Sequence, residues 1–238
     1  FWDGRAPLLE DQAKGPVANP VEMGMEDVET AMERVRRIPG YKVYFDRAFG
    51  KDSMTVDNAA KAVAAFERTL ITPNSAYDKY VKGDKTAMNE QQVRGMDKFA
   101  SSGCTSCHSG AAFNGPQMKL GEGFFTKFPT FDDSEYVTRY KLADDKGRQE
   151  VTGDSADANM FRTPTLRNIT DTAPYFHNGS VNDLAEAVRV MAKTQLNKDL
   201  PDADVQDIVA FLGALTGEYP EITMPRLPAT SGTSIVAD

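Results

Sequence analysis

Cys104-Thr105-Ser106-Cys107-His108 constrains this chain more than any other stretch. The spacing C-x-x-C-H is that of a covalent haem attachment site. Two thioether bonds need two thiols about one helical turn apart, and the adjacent histidine then falls beneath the porphyrin, where it ligates the iron axially. These are the only two cysteines in the sequence. A structural zinc site needs four ligands, and the chain offers two Cys and two His. A redox dithiol usually follows a strand near a βαβ pattern, and no parallel-strand pattern is visible. The histidine directly after the second cysteine favours haem c over both.

The 238 residues allow one large domain or two small ones, and a hydrophobic fraction of 40% builds a full core. The net charge of −8, to which haem propionates add, argues against a nucleic-acid partner. No apolar run approaches the ~20 residues of a membrane span. The chain opens on Phe1-Trp2-Asp3-Gly4-Arg5 without a signal peptide, whereas haem attachment of this kind is normally completed outside the cytoplasm. The expectation is therefore a mature product, a fragment, or the latter part of a longer protein.

The regular elements read as helices. Val28, Ala31, Met32, Val35 and Ile38 repeat at helical spacing until Pro39-Gly40. Val56, Ala59, Ala60, Val63, Phe66 and Leu70 do the same before Pro73. Asn89 with Gln92 forms a capping box for a helix carrying Val93, Met96, Phe99 and Ala100 up to the haem motif. Leu184, Ala187, Val188 and Met191 make another apolar stripe. Asp202 caps a last helix with Val205, Ile208, Val209, Leu212 and Leu215 inward, and Gly217 suits its C′ position. Residues 1–26 and 109–182 read as irregular, the second stretch being long enough to wrap a cofactor. Residues 219–238 read as an extended tail. The second half is similar in architecture to small cytochromes c.

The sixth iron ligand has several candidates downstream of the motif: His177, Met118, Met160 and Met191. In small cytochromes c the methionine ligand lies between the attachment site and the last helix, usually near the latter, which favours Met191. Met191 also completes an apolar stripe, the ordinary setting of a core methionine. His177 is the alternative, since bis-histidine haem is common. Arg162 and Arg167 are candidates to pair with haem propionates.

Several stretches together carry a family resemblance: Phe1-Trp2-Asp3-Gly4-Arg5-Ala6, Asn19-Pro20-Val21-Glu22-Met23, Thr69-Leu70-Ile71-Thr72-Pro73, the haem motif, Pro164-Thr165-Leu166-Arg167-Asn168, Thr172-Ala173-Pro174-Tyr175-Phe176-His177 and Ile208-Val209-Ala210-Phe211-Leu212. In these the chain resembles the bacterial dihaem cytochrome c peroxidases. The resemblance implies an all-α fold of two cytochrome c-like haem domains, the first only partly present. Residues 1–73 would be the remainder of the peroxidatic domain, and residues 74–238 the electron-accepting domain with its tail, which would return over the first. Family members carry an earlier haem domain with its own C-x-x-C-H and distal His, and this chain begins after both.

The resemblance further implies a periplasmic, homodimeric enzyme that reduces hydrogen peroxide to water. Its electrons would come from a small cytochrome c or a cupredoxin. His108 and Met191 match the axial ligands of the electron-accepting haem. Trp2 matches a tryptophan placed between the two haems. Gln12 and Glu22 match residues of the peroxide pocket, with Glu22 as the acid/base group. Thr172 and Pro174 match residues whose backbone carbonyls bind calcium, a hard cation suited to such oxygens. One rival is a non-enzymatic monohaem electron carrier. Another is the related dihaem enzyme that matures a tryptophylquinone in a partner protein. That enzyme uses a tyrosine where this chain has Met191.

Overall fold

The computed structural model describes residues 1–228. The chain divides into two compact units, one of Phe1–Arg5 with Thr72–Tyr219 and one of Ala6–Ile71 with the segment from Pro220 onward. Helix dominates both, and the only sheet among the described residues has two strands.

The unit that begins at Ala6 is built of short helices: α1 (Leu9–Gln12), α2 (Gly15–Ala18), α3 (Val28–Arg36), α4 (Pro39–Phe49) and α5 (Val56–Glu67). Asp27 caps α3 by accepting the Thr30 N–H at 2.7 Å. Pro39 ends that helix and also opens the next. It occupies the first turn of α4, where its missing N–H costs nothing and its fixed φ is already helical. The expected single break is therefore a junction between two helices. On α5 the buried side chains are the small Ala60 and Ala64, and α1 and α3 pack against this helix. Val63, Phe66 and Leu70, which belong to the same apolar period, are 46%, 50% and 45% exposed. Arg68 forks onto Glu10 at 2.9 and 3.1 Å, and Lys14 pairs with Asp57 at 2.7 Å. The described part of the tail has no regular structure. Its Pro228 abuts Gly40 so closely that a β-carbon there would lie 2.4 Å from the proline ring. The remainder of the expected tail lies outside the described residues.

The other unit holds α6 (Ala76–Val81), α7 (Glu90–Ser102), α8 (Glu135–Arg139), α9 (Gln149–Thr152), α10 (Leu184–Leu196) and α11 (Asp202–Gly213). The capping box of α7 forms as expected, with Asn89 and Gln92 exchanging 2.9 Å bonds. Gly103 ends α7 at φ 100, a left-handed conformation that glycine adopts without strain. Helices α7 and α11 cross, and Phe99, Ile208, Phe211, Leu212 and Leu215 fill the core there with Phe113. Asp202 does not cap α11. It sits in the first turn, where a carboxylate suits the helix dipole, and accepts from Arg189 at 2.8 Å. Gly217 is no C′ residue either, because α11 ends at Gly213. Its backbone passes so close to residue 72 that a β-carbon would lie 1.9 Å from the Thr72 carbonyl oxygen.

The stretch 109–182 is less irregular than its sequence suggests. It contains α8, α9 and an antiparallel pair, β1 (Phe125–Lys127) and β2 (Met160–Arg162), in the register Phe125 to Arg162 and Lys127 to Met160. Three-residue strands are too short for periodicity to reveal. They bring Phe128 and Phe161 into a second core with Leu142 and Val190, against which Met191 packs.

Candidate functional site

The haem motif begins where α7 stops. After Gly103, residues 104–106 form one 3₁₀ turn, and the N–H of His108 donates to the Cys104 carbonyl at 2.9 Å. This tight turn puts Cys104, Cys107 and His108 into the wall of a cavity of about 370 Å³. Its walls are mostly apolar: Phe99, Leu184, Val188, Leu196, Ile208 and Leu212 come from α7, α10 and α11. Burial pushes the Cys104 thiol up to about 11, so it rests as a neutral thiol.

His108 is buried, and burial holds its pKa below the usual histidine value despite its bond to Phe113. Its Nδ1 lies 2.9 Å from the Phe113 carbonyl oxygen. A carbonyl can only accept, so Nδ1 carries the proton and Nε2 keeps its lone pair, the tautomer a metal requires. The neutral imidazole, the paired thiols and the apolar walls fit a c-type haem.

Of the methionines downstream of the motif, Met191 lines this cavity, whereas Met118 and Met160 are absent from its walls. His177 also lies along the wall, but both its ring nitrogens are buried without a hydrogen-bond partner among the described residues. Its ring stacks on Phe161 with centroids 4.1 Å apart, and Phe128 meets it edge-on at 5.8 Å. Burial lowers its pKa, so the ring is neutral.

Trp2 lies at the same cavity, held there as its backbone carbonyl accepts the Arg162 N–H at 2.8 Å. The Arg162 guanidinium is exposed and pairs with no side chain among the described residues. Arg167 differs from expectation. All five of its N–H groups are engaged inside the protein, by Ala111, Asp78 and Ser75, which leaves none for a propionate. Thr172 and Pro174 also border the cavity, and their carbonyl oxygens accept no hydrogen bond among the described residues. No group of three or more His, Cys, Asp or Glu is placed to hold a metal among those residues. Gln12, the last residue of α1, and Glu22, exposed in the turn after α2, belong to the other unit.

Two contacts here escape sequence reasoning. The Phe113 carbonyl reaches His108 because Phe113 adopts φ 53, which a non-glycine residue seldom does. The Arg167 network depends on α6, a helix too short to announce itself by period.

Known proteins resemble this chain over most of its length. Residues 1–86 match the model of the di-haem cytochrome c peroxidase family. The chain is 43% identical to the cytochrome c551 peroxidase of Nitrosomonas europaea over 97% of its own length and 65% of the relative's. It is 34% identical to the cytochrome-c peroxidase IdrP1 of Pseudomonas sp. (strain SCT), over 96% of this chain and 67% of that one. The chain thus spans about two thirds of the length of these two relatives, and 45% of the cytochrome c peroxidase Ccp of Escherichia coli (strain K12). Among solved structures, a MauG-like protein associated with microbial copper homeostasis superposes with a TM-score of 0.71 at 28% identity, covering 89% of this chain and 69% of that one.

Proposed function

Given that this chain belongs to the di-haem cytochrome c peroxidase family, we propose that the complete protein reduces hydrogen peroxide to water with two electrons and two protons. The observation that carries the reading is the convergence of Cys104, Cys107, a tautomerically committed His108 and Met191 on one apolar cavity. A c-type haem bound there supplies an iron that accepts and releases single electrons. Cys104 and Cys107 would anchor it through thioethers, and His108 and Met191 would hold the iron. Ligation by Met191 would raise its potential, so this site would relay electrons. Arg162 would pair with a propionate.

A small c-type cytochrome or a copper protein would donate the electrons, and Trp2 would lie on their way to a second, peroxidatic haem of the complete protein. The unit of Ala6–Ile71 with the segment from Pro220 onward belongs to that peroxidatic domain, and the unit of Phe1–Arg5 with Thr72–Tyr219 to the electron-accepting one. Gln12 lines the peroxide pocket. Glu22 removes the proton from one peroxide oxygen and delivers it to the other as the O–O bond opens, which is general acid–base catalysis by a single carboxylate. The Thr172 and Pro174 carbonyls would hold a calcium ion. The setting is the periplasm and the assembly a homodimer.

The test is a haem count on the full-length protein together with peroxide-dependent oxidation of a reduced small cytochrome c. Two haems per molecule with turnover are expected. One haem without turnover would instead identify a plain electron carrier.

A further inference from the structure

We infer that Arg167 is a positioning residue for the iron ligand His108, acting through the backbone at Phe113. The inference rests on the reading that His108 ligates the haem.

Phe113 is the weak point of the His108 arrangement. Its φ of 53 is disfavoured for an aromatic residue, so the carbonyl that faces His108 is held in place by its surroundings and not by local preference. Those surroundings converge on one side chain. Arg167 donates from Nε and from Nη2 to the Ala111 carbonyl, at 2.9 and 2.8 Å, two residues before Phe113. Its guanidinium carbon also lies 5.6 Å from the centre of the Phe113 ring and 5.9 Å from that of Tyr77, within cation–π range. Thr165, two residues before Arg167, donates to the Ala112 carbonyl at 2.6 Å. The turn 110–113 is thereby gripped at successive carbonyls, and the Phe113 carbonyl emerges 2.9 Å from Nδ1.

Arg167 is itself fixed. It forks onto Asp78 with bonds of 2.9 and 2.8 Å and donates to the Ser75 hydroxyl at 3.0 Å. Ser75 and Asp78 form the capping box of α6, so the guanidinium is tied to the start of a helix. The chain of contacts runs from α6 through Arg167 and the 110–113 turn to His108. A planar fork with five donors does this, and a lysine ammonium does not.

The consequence is electronic. A hydrogen bond from Nδ1–H to a well-placed carbonyl makes the imidazole a stronger donor at Nε2 and favours the oxidised iron. Loosening the clamp weakens that bond, so the potential rises.

The deciding variant in the haem-loaded protein is Arg167→Lys, which preserves charge and removes the fork. Its midpoint potential is expected to rise, and the His108 Nδ1–H, followed by NMR, to exchange faster with solvent deuterium. An unchanged potential with unchanged exchange overturns the inference. Asp78→Asn is the second variant, for which exchange alone decides, since losing its charge shifts the potential by itself; unchanged exchange again counts against the clamp. In the double variant the exchange effects should fall short of additivity, because one clamp is released twice. His108→Gly separates the two readings: if it keeps the wild-type low-spin spectrum, the ligand assignment has failed, whatever Arg167 does.

Discussion

Gly95 on α7 lies directly against the carbonyl of Asp207 on α11: a β-carbon at residue 95 would sit 1.8 Å from that oxygen. The two helices meet there at backbone distance. The cavity takes walls from both, with Phe99 from α7 and Ile208 and Leu212 from α11. The crossing therefore sets the width of the cavity.

Gly95→Ala tests this crossing. Helix propensity alone would favour alanine by about 1 kcal/mol. The clash is with backbone, which cannot rotate away, and overpacking typically costs ~1–3 kcal/mol. The steric effect wins. We expect a net destabilisation of about 2 kcal/mol in urea unfolding, with weaker haem retention. Equal or greater stability would show that the crossing is not tight.

How much of this was legible in the sequence depended on range. Helices α7 and α10 follow from apolar period and capping residues, and the haem motif is a contiguous signal. Pro39 misled because the same residue type ends one helix and starts another. Gly217 misled because its reason is the close passage of the Thr72 carbonyl, a contact across more than a hundred residues of chain. The exposed Val63 and Phe66 show an apolar period on α5 without burial among the described residues. Arg167 was legible as a functional arginine but not as a clamp, since Asp78 and Ala111 are neighbours only in the fold. The left-handed Phe113 has no sequence signature at all.

The sixth ligand separates Met191 from His177. Met191→Ala should abolish the thioether-to-iron absorption band of the oxidised protein and admit exogenous ligands. His177→Phe should leave that band in place. It also removes two buried, unpartnered nitrogens from an aromatic stack, so stability should rise by about 1 kcal/mol. Loss of the band in His177→Phe, or its survival in Met191→Ala, would reverse the assignment.

Calcium chelation of the complete protein should lower peroxidase turnover while both haem spectra persist. The Thr172 and Pro174 carbonyls, which accept no hydrogen bond among the described residues, motivate this. Full activity after exhaustive chelation, with no calcium found by elemental analysis, would remove the ion from the mechanism.

Glu22→Gln keeps the shape of the side chain and removes its ability to carry a proton. Turnover should fall by about 10²–10⁴ with the haem spectra and donor affinity unchanged. Near-normal turnover would exclude the acid–base role, and loss of haem would assign Glu22 a structural one.

The Asp78–Arg167 pair carries a pH signature. Burial raises the Asp78 pKa, but the bonds from Arg167 and Ser75 outweigh it and leave the carboxyl below its ordinary value. A carboxylate held low in the folded state stabilises the fold above its unfolded pKa of about 3.9, and that contribution disappears as pH falls through the lower, folded value. Both side chains are well under a third exposed, so solvent screens the pair little. Asp78→Asn should therefore cost about 2 kcal/mol near pH 7, the scale of a hydrogen bond to a charged group. The gap between wild type and variant should hold down to about pH 4 and close below it, because protonation makes the wild-type side chain as neutral as asparagine. Urea unfolding of both proteins across this range measures the gap directly. A difference that stays constant into strong acid would mean that Asp78 contributes by shape alone, without its charge.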